Sequence, residues 1–173
     1  MLSQFQGKSQ YDKSIDETLR PSACGPVTAS VILQHMDNPL SKIPINQLYK
    51  LLGTTRIGLF TWRFVHRLQQ LLGTGWQVRK CSFSEAVYEL DSGRPVAAKF
   101  DKWFSFNWNG GYEFNYHWVP VIGYEKNASD VTLILHDNGS PSSTGNIRHV
   151  SYRVNHEVLS FVKIAPLNTS KRH

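Results

Sequence analysis

The spacing of the hydrophobic residues changes half-way along the chain, and this change constrains the fold more than any other feature. Between residues 23 and 90 the apolar residues recur mostly at helical spacing, as Val27, Val31, Ile32 and Met36 do. From residue 95 onward they form short runs typical of strands, separated by turn-forming residues. Helices that precede strands, instead of alternating with them, predict an α+β fold with N-terminal helices packed on a C-terminal antiparallel sheet.

Local signals place the individual elements. Helices are predicted over residues 23–37, 45–52, 61–72 and 83–90, the last one opened by a capping box of Ser82 and Glu85. Strands are predicted over residues 76–81, 95–100, 116–124, 131–136 and 149–153. Asn155 is predicted to cap a final helix that extends to about Val162. We therefore expect one domain over residues 1–166 and a flexible tail over residues 167–173.

Length and composition are those of a single globular domain. The chain has 173 residues, of which 40% are hydrophobic, so it can bury a sizeable core and is not of the disordered class. Its two cysteines, Cys24 and Cys81, are too few for a disulfide framework. Both are predicted to be free thiols.

Charge and hydropathy exclude several classes of function. The net charge is +6, but the basic residues are scattered and form no Lys/Arg-rich stripe, so nucleic acid is not an expected partner. No apolar run approaches the ~18 residues of a membrane span. The first residues lack the apolar core of a signal peptide. The expected location is the cytoplasm, and a secreted form would require a leader that has been trimmed.

The segment from Arg20 to Pro26, which reads RPSACGP, contains the first candidate for chemistry. Cys24 falls in the first turn of a predicted helix, where free N–H groups and the helix dipole stabilise a thiolate. Gly25 would allow a substrate to approach the backbone, and Pro26 suits a first helical turn. Free cysteines are also common as small buried residues, so this motif alone leaves both interpretations open.

A nucleophilic cysteine requires a base, and two of the seven histidines lie in suitable places. His117 begins a predicted strand, and His136 ends the next one just before Asp137. If these strands pair as a hairpin, Asp137 lies beside His117 and can fix its tautomer, whereas His136 points to the opposite face. A core histidine and an ordinary turn aspartate are the alternatives.

Taken in order, these segments resemble the C39-like family of papain-fold cysteine peptidases. The resemblance is carried by four segments of the sequence: Ser9 to Asp12, Ala23 to Pro26, Gly93 to Val96, and Tyr116 to Tyr124 followed by a strand that ends at Asp137. It covers the chain from about residue 9 to about residue 160.

This resemblance implies a papain-like fold and a set of catalytic roles. Gln10 would donate its amide to an oxyanion hole, Cys24 would attack, His117 would act as base and then acid, and Asp137 would orient His117. The family usually has Asp-Pro where this chain has Asp137-Asn138, so Asn138 is a second candidate for the orienting role. The implied partner is a peptide or protein substrate. No metal or cofactor is implied, and paired metal-ligand spacing is lacking as well.

Three functions are compatible with these residues. The first is hydrolysis of a peptide or amide bond through a thioester on Cys24. The second is acyl transfer, which a dry acceptor pocket built from the aromatic residues between Trp103 and Tyr112 would favour. The third is a catalytically idle module that binds peptide. The sequence does not specify the oligomeric state.

Overall fold

The structure is a computed structural model, and it describes residues 1–103, 105–141 and 144–167. In chain order its helices and strands are α1 (Cys24–His35), α2 (Ile45–Leu51), α3 (Thr61–Leu72), β1 (Trp76–Cys81), α4 (Phe83–Asp91), β2 (Val96–Asp101), β3 (Tyr116–Lys126), β4 (Val131–Asp137), β5 (Asn146–Ser151), α5 (Tyr152–Asn155) and β6 (Leu159–Pro166). Short 3-10 turns precede α1 and α2. The predicted tail beyond Leu167 lies outside the described residues.

The strands form one antiparallel sheet in the order β1-β6-β2-β3-β4-β5. With helices packed on this sheet, the predicted α+β class and papain-like architecture are confirmed. Helix α3 and strand β1 have the predicted bounds, and the Ser82–Glu85 capping box opens α4 as expected.

The final helix predicted from Asn155 to Val162 is wrong. The helix here is the single turn α5, capped by Ser151 at its start and ended at Asn155, and the chain then continues as β6. Strand β6 lies inside the sheet, where it pairs with β1 through Phe161–Pro166 and with β2 through Leu159–Val162. Pairing on both sides satisfies its backbone, and its aromatic and β-branched residues suit a buried strand.

Alternate residues of the inner strands contribute to two different cores, which shows that both faces of the sheet are covered. Ala97, Trp118 and Val162 pack with α1, α2 and α3 in one core. Their neighbours in sequence, such as Ala98, Val119 and Phe161, pack with α4 in the other core.

Helix α1 is the central helix of the molecule. Every residue from Cys24 to Leu33 is buried, so the single apolar face predicted for it is too narrow. One side of the helix packs on the Trp118 core, and the other packs on Ile15, Ile45 and Tyr49. Burial on both sides fixes the position of the helix start, where Cys24 lies.

Within the part of the chain that the structure describes, none of the helices has the length and apolarity that crossing a bilayer demands.

Candidate active site

Cys24 begins α1 and projects into the junction between this helix and the sheet. The residue before it, Ala23, has no side chain that can cap the helix, so the first-turn N–H groups are left for other acceptors. Hydrogen bonds from the backbone of Trp118 and Gly25 reach the thiol. Gly25 was expected to let a substrate approach the backbone, but the structure gives another reason for a glycine at this position. A Cβ there would come within 2.9 Å of the Leu59 side chain. Gly25 thus makes room for Leu59.

His117 and Asp137 meet as the hairpin prediction requires. Strands β3 and β4 pair in antiparallel register, which brings the start of one beside the end of the other. His117 Nε2 lies 2.9 Å from Asp137 Oδ1, and both side chains are nearly buried. The Oδ1 atom also accepts a hydrogen bond from the backbone N–H of Gly139 at 2.9 Å.

The Cys24 thiol forms a hydrogen bond with His117, which completes a chain of three groups. Since Nε2 of the imidazole is engaged with Asp137, Nδ1 is the ring atom left for the thiol. Cys24, His117 and Asp137 therefore stand in the sequence of contacts that an acyl-transfer triad requires.

The pKa shifts of this chain favour a thiolate–imidazolium pair. Burial opposes the charged form of each group. The hydrogen bond and charge of His117 nevertheless hold the pKa of the Cys24 thiol below its usual value. Hydrogen bonds with Asp137 and Cys24 raise the pKa of His117 to about 9. Hydrogen bonds from His117, Gly139 and Arg148 lower the pKa of Asp137 to about 2.

Gln10 is held at the same site by backbone and side-chain contacts. Its backbone N–H donates to the carbonyl of Asn138 at 2.8 Å, and the side chain of the preceding Ser9 donates to the carbonyl of Ser140. Gln10 Nε2 donates to the carbonyl of Arg20 at 2.8 Å. An amide nitrogen carries two hydrogens, so Gln10 has a second N–H, and the residue lines the same cavity as Cys24.

Asn138 has a different set of contacts from the one predicted for an orienting residue. Its Nδ2 atom lies within 3.0–3.2 Å of three acceptors: the backbone oxygens of Cys24 and Trp118 and the hydroxyl of Thr28. The side chain is fully buried. Asn138 thus ties the end of β4 to the first turn of α1, while Asp137 is the residue that contacts His117.

The His136 side chain lies apart from those of Cys24, His117 and Asp137. Its ring is 5.5 Å from the ring of Phe5 and covers the backbone of Gly7. Burial lowers the pKa of this imidazole, so it is neutral at physiological pH. The expectation that His136 faces away from His117 agrees with these contacts.

A cavity of about 500 Å³ opens over the thiol. Segments around Gln10, Cys24, Gly58, His117 and Asp137 contribute to its wall. Gly58 has a φ of +112°, and a Cβ at this position would lie 2.4 Å from the Tyr116 hydroxyl. Only a glycine therefore allows this part of the cavity wall to pack against Tyr116 of β3.

Arg148 and Glu113 belong to the site, although no pattern in the sequence indicates them. Arg148, on β5, donates from Nε to Asp137 Oδ2 at 2.7 Å, and from Nη1 to Glu113 Oε1 at 2.9 Å. Both residues line the cavity. Only the pairing of β4 with β5 brings Arg148 to Asp137, and no local pattern marks either residue.

Within the described residues, no cluster of three or more His, Cys, Asp or Glu side chains is arranged to hold a metal ion. No curated protein matches the sequence at a significant level. The sequence profile of the Peptidase_C39 like family, however, matches residues 2–164, nearly the whole chain.

The chain belongs to the Peptidase_C39 like family. The resemblance expected from the sequence is thereby confirmed. Membership of the C39-like family connects the chain with the cysteine peptidases and with peptide substrates.

Proposed function

We propose that this member of the C39-like family is a cysteine hydrolase that cleaves a peptide or amide bond through a thioester on Cys24. The observation that carries the proposal is the chain of contacts from Cys24 through His117 to Asp137 at the floor of the cavity. A thiol whose pKa is lowered although it is buried is typical of a nucleophile and not of a structural cysteine.

In the first step the Cys24 thiolate attacks the carbonyl carbon of the substrate, and the carbonyl oxygen becomes an oxyanion. The free N–H of the Gln10 amide and the backbone N–H of Cys24 are the donors available to this oxyanion. The imidazolium of His117 then gives its proton to the leaving nitrogen. The carbon–nitrogen bond breaks, the amine departs, and the acyl group remains on sulfur.

In the second step water replaces the amine. Neutral His117 takes a proton from the water, and the resulting hydroxide attacks the thioester. The carbon–sulfur bond breaks, the acid product leaves, and the thiolate–imidazolium pair is restored. Asp137 stays ionised throughout, since its pKa is lowered to about 2, and it fixes the ring through Nε2.

Of the aromatic residues that would favour acyl transfer, Trp103, Phe106, Trp108 and Tyr112 do not line the cavity over Cys24. Trp103, Phe106 and Trp108 are 52%, 79% and 59% exposed. The aromatic residues that line the cavity are instead Tyr11, Phe114 and Tyr116, together with several polar side chains. Phe104, which belongs to the same predicted set, lies outside the described residues. The position of the other members of this set outside the cavity supports hydrolysis as the proposed reaction.

The first test is the pH dependence of alkylation of Cys24 by iodoacetamide, followed by peptide mass spectrometry. We expect fast labelling already below pH 7, because the thiolate persists at pH values above its lowered pKa. In His117→Ala this acid reactivity disappears. Slow labelling with the profile of an ordinary thiol, unchanged in His117→Ala, would overturn the proposal and favour the idle binding module.

The second test identifies the reaction. A pool of peptides is incubated with the protein in ¹⁸O-labelled water, with Cys24→Ala as the matched control. Hydrolysis introduces one ¹⁸O atom from water into each new carboxyl terminus, whereas acyl transfer produces ligated peptides without this label. Ligated products as the main outcome would replace hydrolysis by transfer.

A further inference from the structure

The carboxylate of Asp137 has a cationic partner besides His117. His117 and the backbone of Gly139 occupy Oδ1, whereas Arg148 Nε occupies Oδ2 at 2.7 Å. The Asp137 side chain is only 4% exposed, so this ion pair is shielded from water on the side of the carboxylate. With both oxygen atoms engaged, the carboxylate cannot rotate and exchange them. Arg148 thus fixes the plane in which Asp137 meets the imidazole.

The guanidinium of Arg148 also contacts the wall of the cavity. Its Nη1 atom donates to Glu113 Oε1 at 2.9 Å, and its central carbon lies 5.5 Å from the centre of the Phe114 ring. The Phe114 ring in turn lies 4.8 Å from the ring of His117. One side chain therefore joins the end of β4 to the segment that leads into β3.

We propose that Arg148 is a positioning residue for the reaction, with Glu113 holding its guanidinium in place. Charges then alternate along a continuous line of contacts from Glu113 through Arg148, Asp137 and His117 to Cys24. This inference rests on the proposed function, because Arg148 acts only through Asp137 and His117.

The shape of the guanidinium is essential to this role. A planar guanidinium can bind two carboxylates at once in a fixed geometry, whereas a lysine ammonium is a point charge on a flexible stem. Arg148→Lys keeps the positive charge and loses the fixed geometry, while Arg148→Gln loses both. The two variants therefore separate charge from positioning.

The test measures kcat, KM and the pH profile of Cys24 labelling in Arg148→Gln, Arg148→Lys and a control, Arg153→Gln. Arg153 is exposed on α5 and lies beside Asp130. We expect kcat to fall about tenfold in Arg148→Gln, by analogy with the hydrogen-bonded partners that orient metal ligands. We expect a similar loss in Arg148→Lys and none in the control.

The labelling profile shows whether the loss acts through the triad. Looser holding of Asp137 weakens its hydrogen bond to the His117 imidazolium, which in turn stabilises the Cys24 thiolate, so the acid limb moves to higher pH in Arg148→Gln. In Arg148→Lys it moves in the same direction, because the fixed geometry is lost although the charge remains. His136, which lies in β4 beside Asp137 and interacts with its charge, is common to all variants.

Each outcome supports or overturns the inference. A rise in KM with unchanged kcat would make Arg148 a substrate contact, and values equal to those of Arg153→Gln would give it no role. Either result overturns the inference while the hydrolase proposal stands. An unreactive wild-type Cys24 overturns the hydrolase proposal itself. If Arg148→Gln does not fold, as judged by circular dichroism, Arg148→Lys decides by the same criteria.

Discussion

The two cysteines of this chain have surroundings that shift their pKa values in opposite directions. Cys24 is 4% exposed, yet its pKa is lowered, because His117 supplies a hydrogen bond and a positive charge that outweigh burial. Cys81, at the end of β1, is half-buried, and its pKa is raised to about 11. The more exposed thiol is thus the less ionised one. At Cys24 a charged partner outweighs burial, whereas at Cys81 burial sets the direction of the shift.

The surroundings of Cys81 explain this contrast. Burial is the main reason for its raised pKa, and the negative charge of Glu85 adds to it against the opposing charge of Arg79. Glu85 forms an ion pair with Arg79 and closes the capping box of α4 with Ser82. These polar groups satisfy each other, so the end of β1 is a structural junction. At Cys24, by contrast, the imidazole of His117 and the backbone N–H groups of Trp118 and Gly25 form hydrogen bonds with the thiol itself.

The largest expected effect comes from replacing each cysteine in turn. Cys24→Ala removes the nucleophile and should lower kcat/KM by at least ~10⁴-fold, as loss of a nucleophile does in other triads. Cys81→Ala should leave kcat/KM within about twofold, because the raised pKa keeps its thiol protonated and Cys81 is not among the residues that line the cavity. Comparable losses of kcat/KM in both variants would show that the opposite pKa shifts of the two thiols do not identify the nucleophile.

Asp137→Asn should make Cys24 behave more like Cys81. The amide cannot stabilise an imidazolium as the carboxylate does, so kcat is expected to fall by ~10²–10⁴-fold. The acid limb of Cys24 labelling should also move to higher pH. Asp91→Asn is the matched control, since Asp91 is exposed and accepts a hydrogen bond from Tyr124 away from the site. An unchanged labelling profile in Asp137→Asn would remove Asp137 from the triad.

The elements with strong local signals were predictable from the sequence, and the last strand was not. Helix α3 ends at Gly73, and α4 begins with a complete capping box, so their bounds follow from short-range interactions. Residues 155–162 contain a cap-like asparagine and an apolar run that suit a helix or a strand. Pairing with β1 and β2 decides in favour of a strand, and a pattern within one segment cannot show that pairing.

The same limit applies to the site. Cys24, His117 and Asp137 were suggested by a helix start and by the two strands of one hairpin, which are local features. Gln10 was suggested only by the family resemblance, because its place depends on hydrogen bonds to residues more than a hundred positions away. Arg148 and Glu113 were missed because their contacts depend on the register of β5 and on the path of the segment before β3.

Gln10→Ala should separate the contribution of the oxyanion hole to kcat from the contribution of Cys24, His117 and Asp137. Loss of one oxyanion donor typically lowers kcat by ~10²-fold or more. Labelling of Cys24 should keep its acid limb, because Gln10 is not among the groups that shift the thiol pKa. The control is Gln70→Ala, an exposed residue of α3. A shifted labelling profile with equal loss of kcat would mean that Gln10 instead supports the position of the Cys24 segment through its bond to Arg20.

The smallest expected effect is on stability, at the capping box of α4 that lies beside Cys81. Ser82→Ala removes the side chain that caps α4 and should lower the free energy of unfolding by about 1 kcal/mol. For a chain of this size that corresponds to a Tm lower by about 2–4 °C. Ser129→Ala, at an exposed position in the turn between β3 and β4, is the control. We expect kcat and Cys24 labelling to remain unchanged in both variants, since α4 packs on the face of the sheet opposite to α1. A loss of kcat in Ser82→Ala alone would show that the junction near Cys81 is coupled to the site, and the two cysteine environments would then no longer be independent.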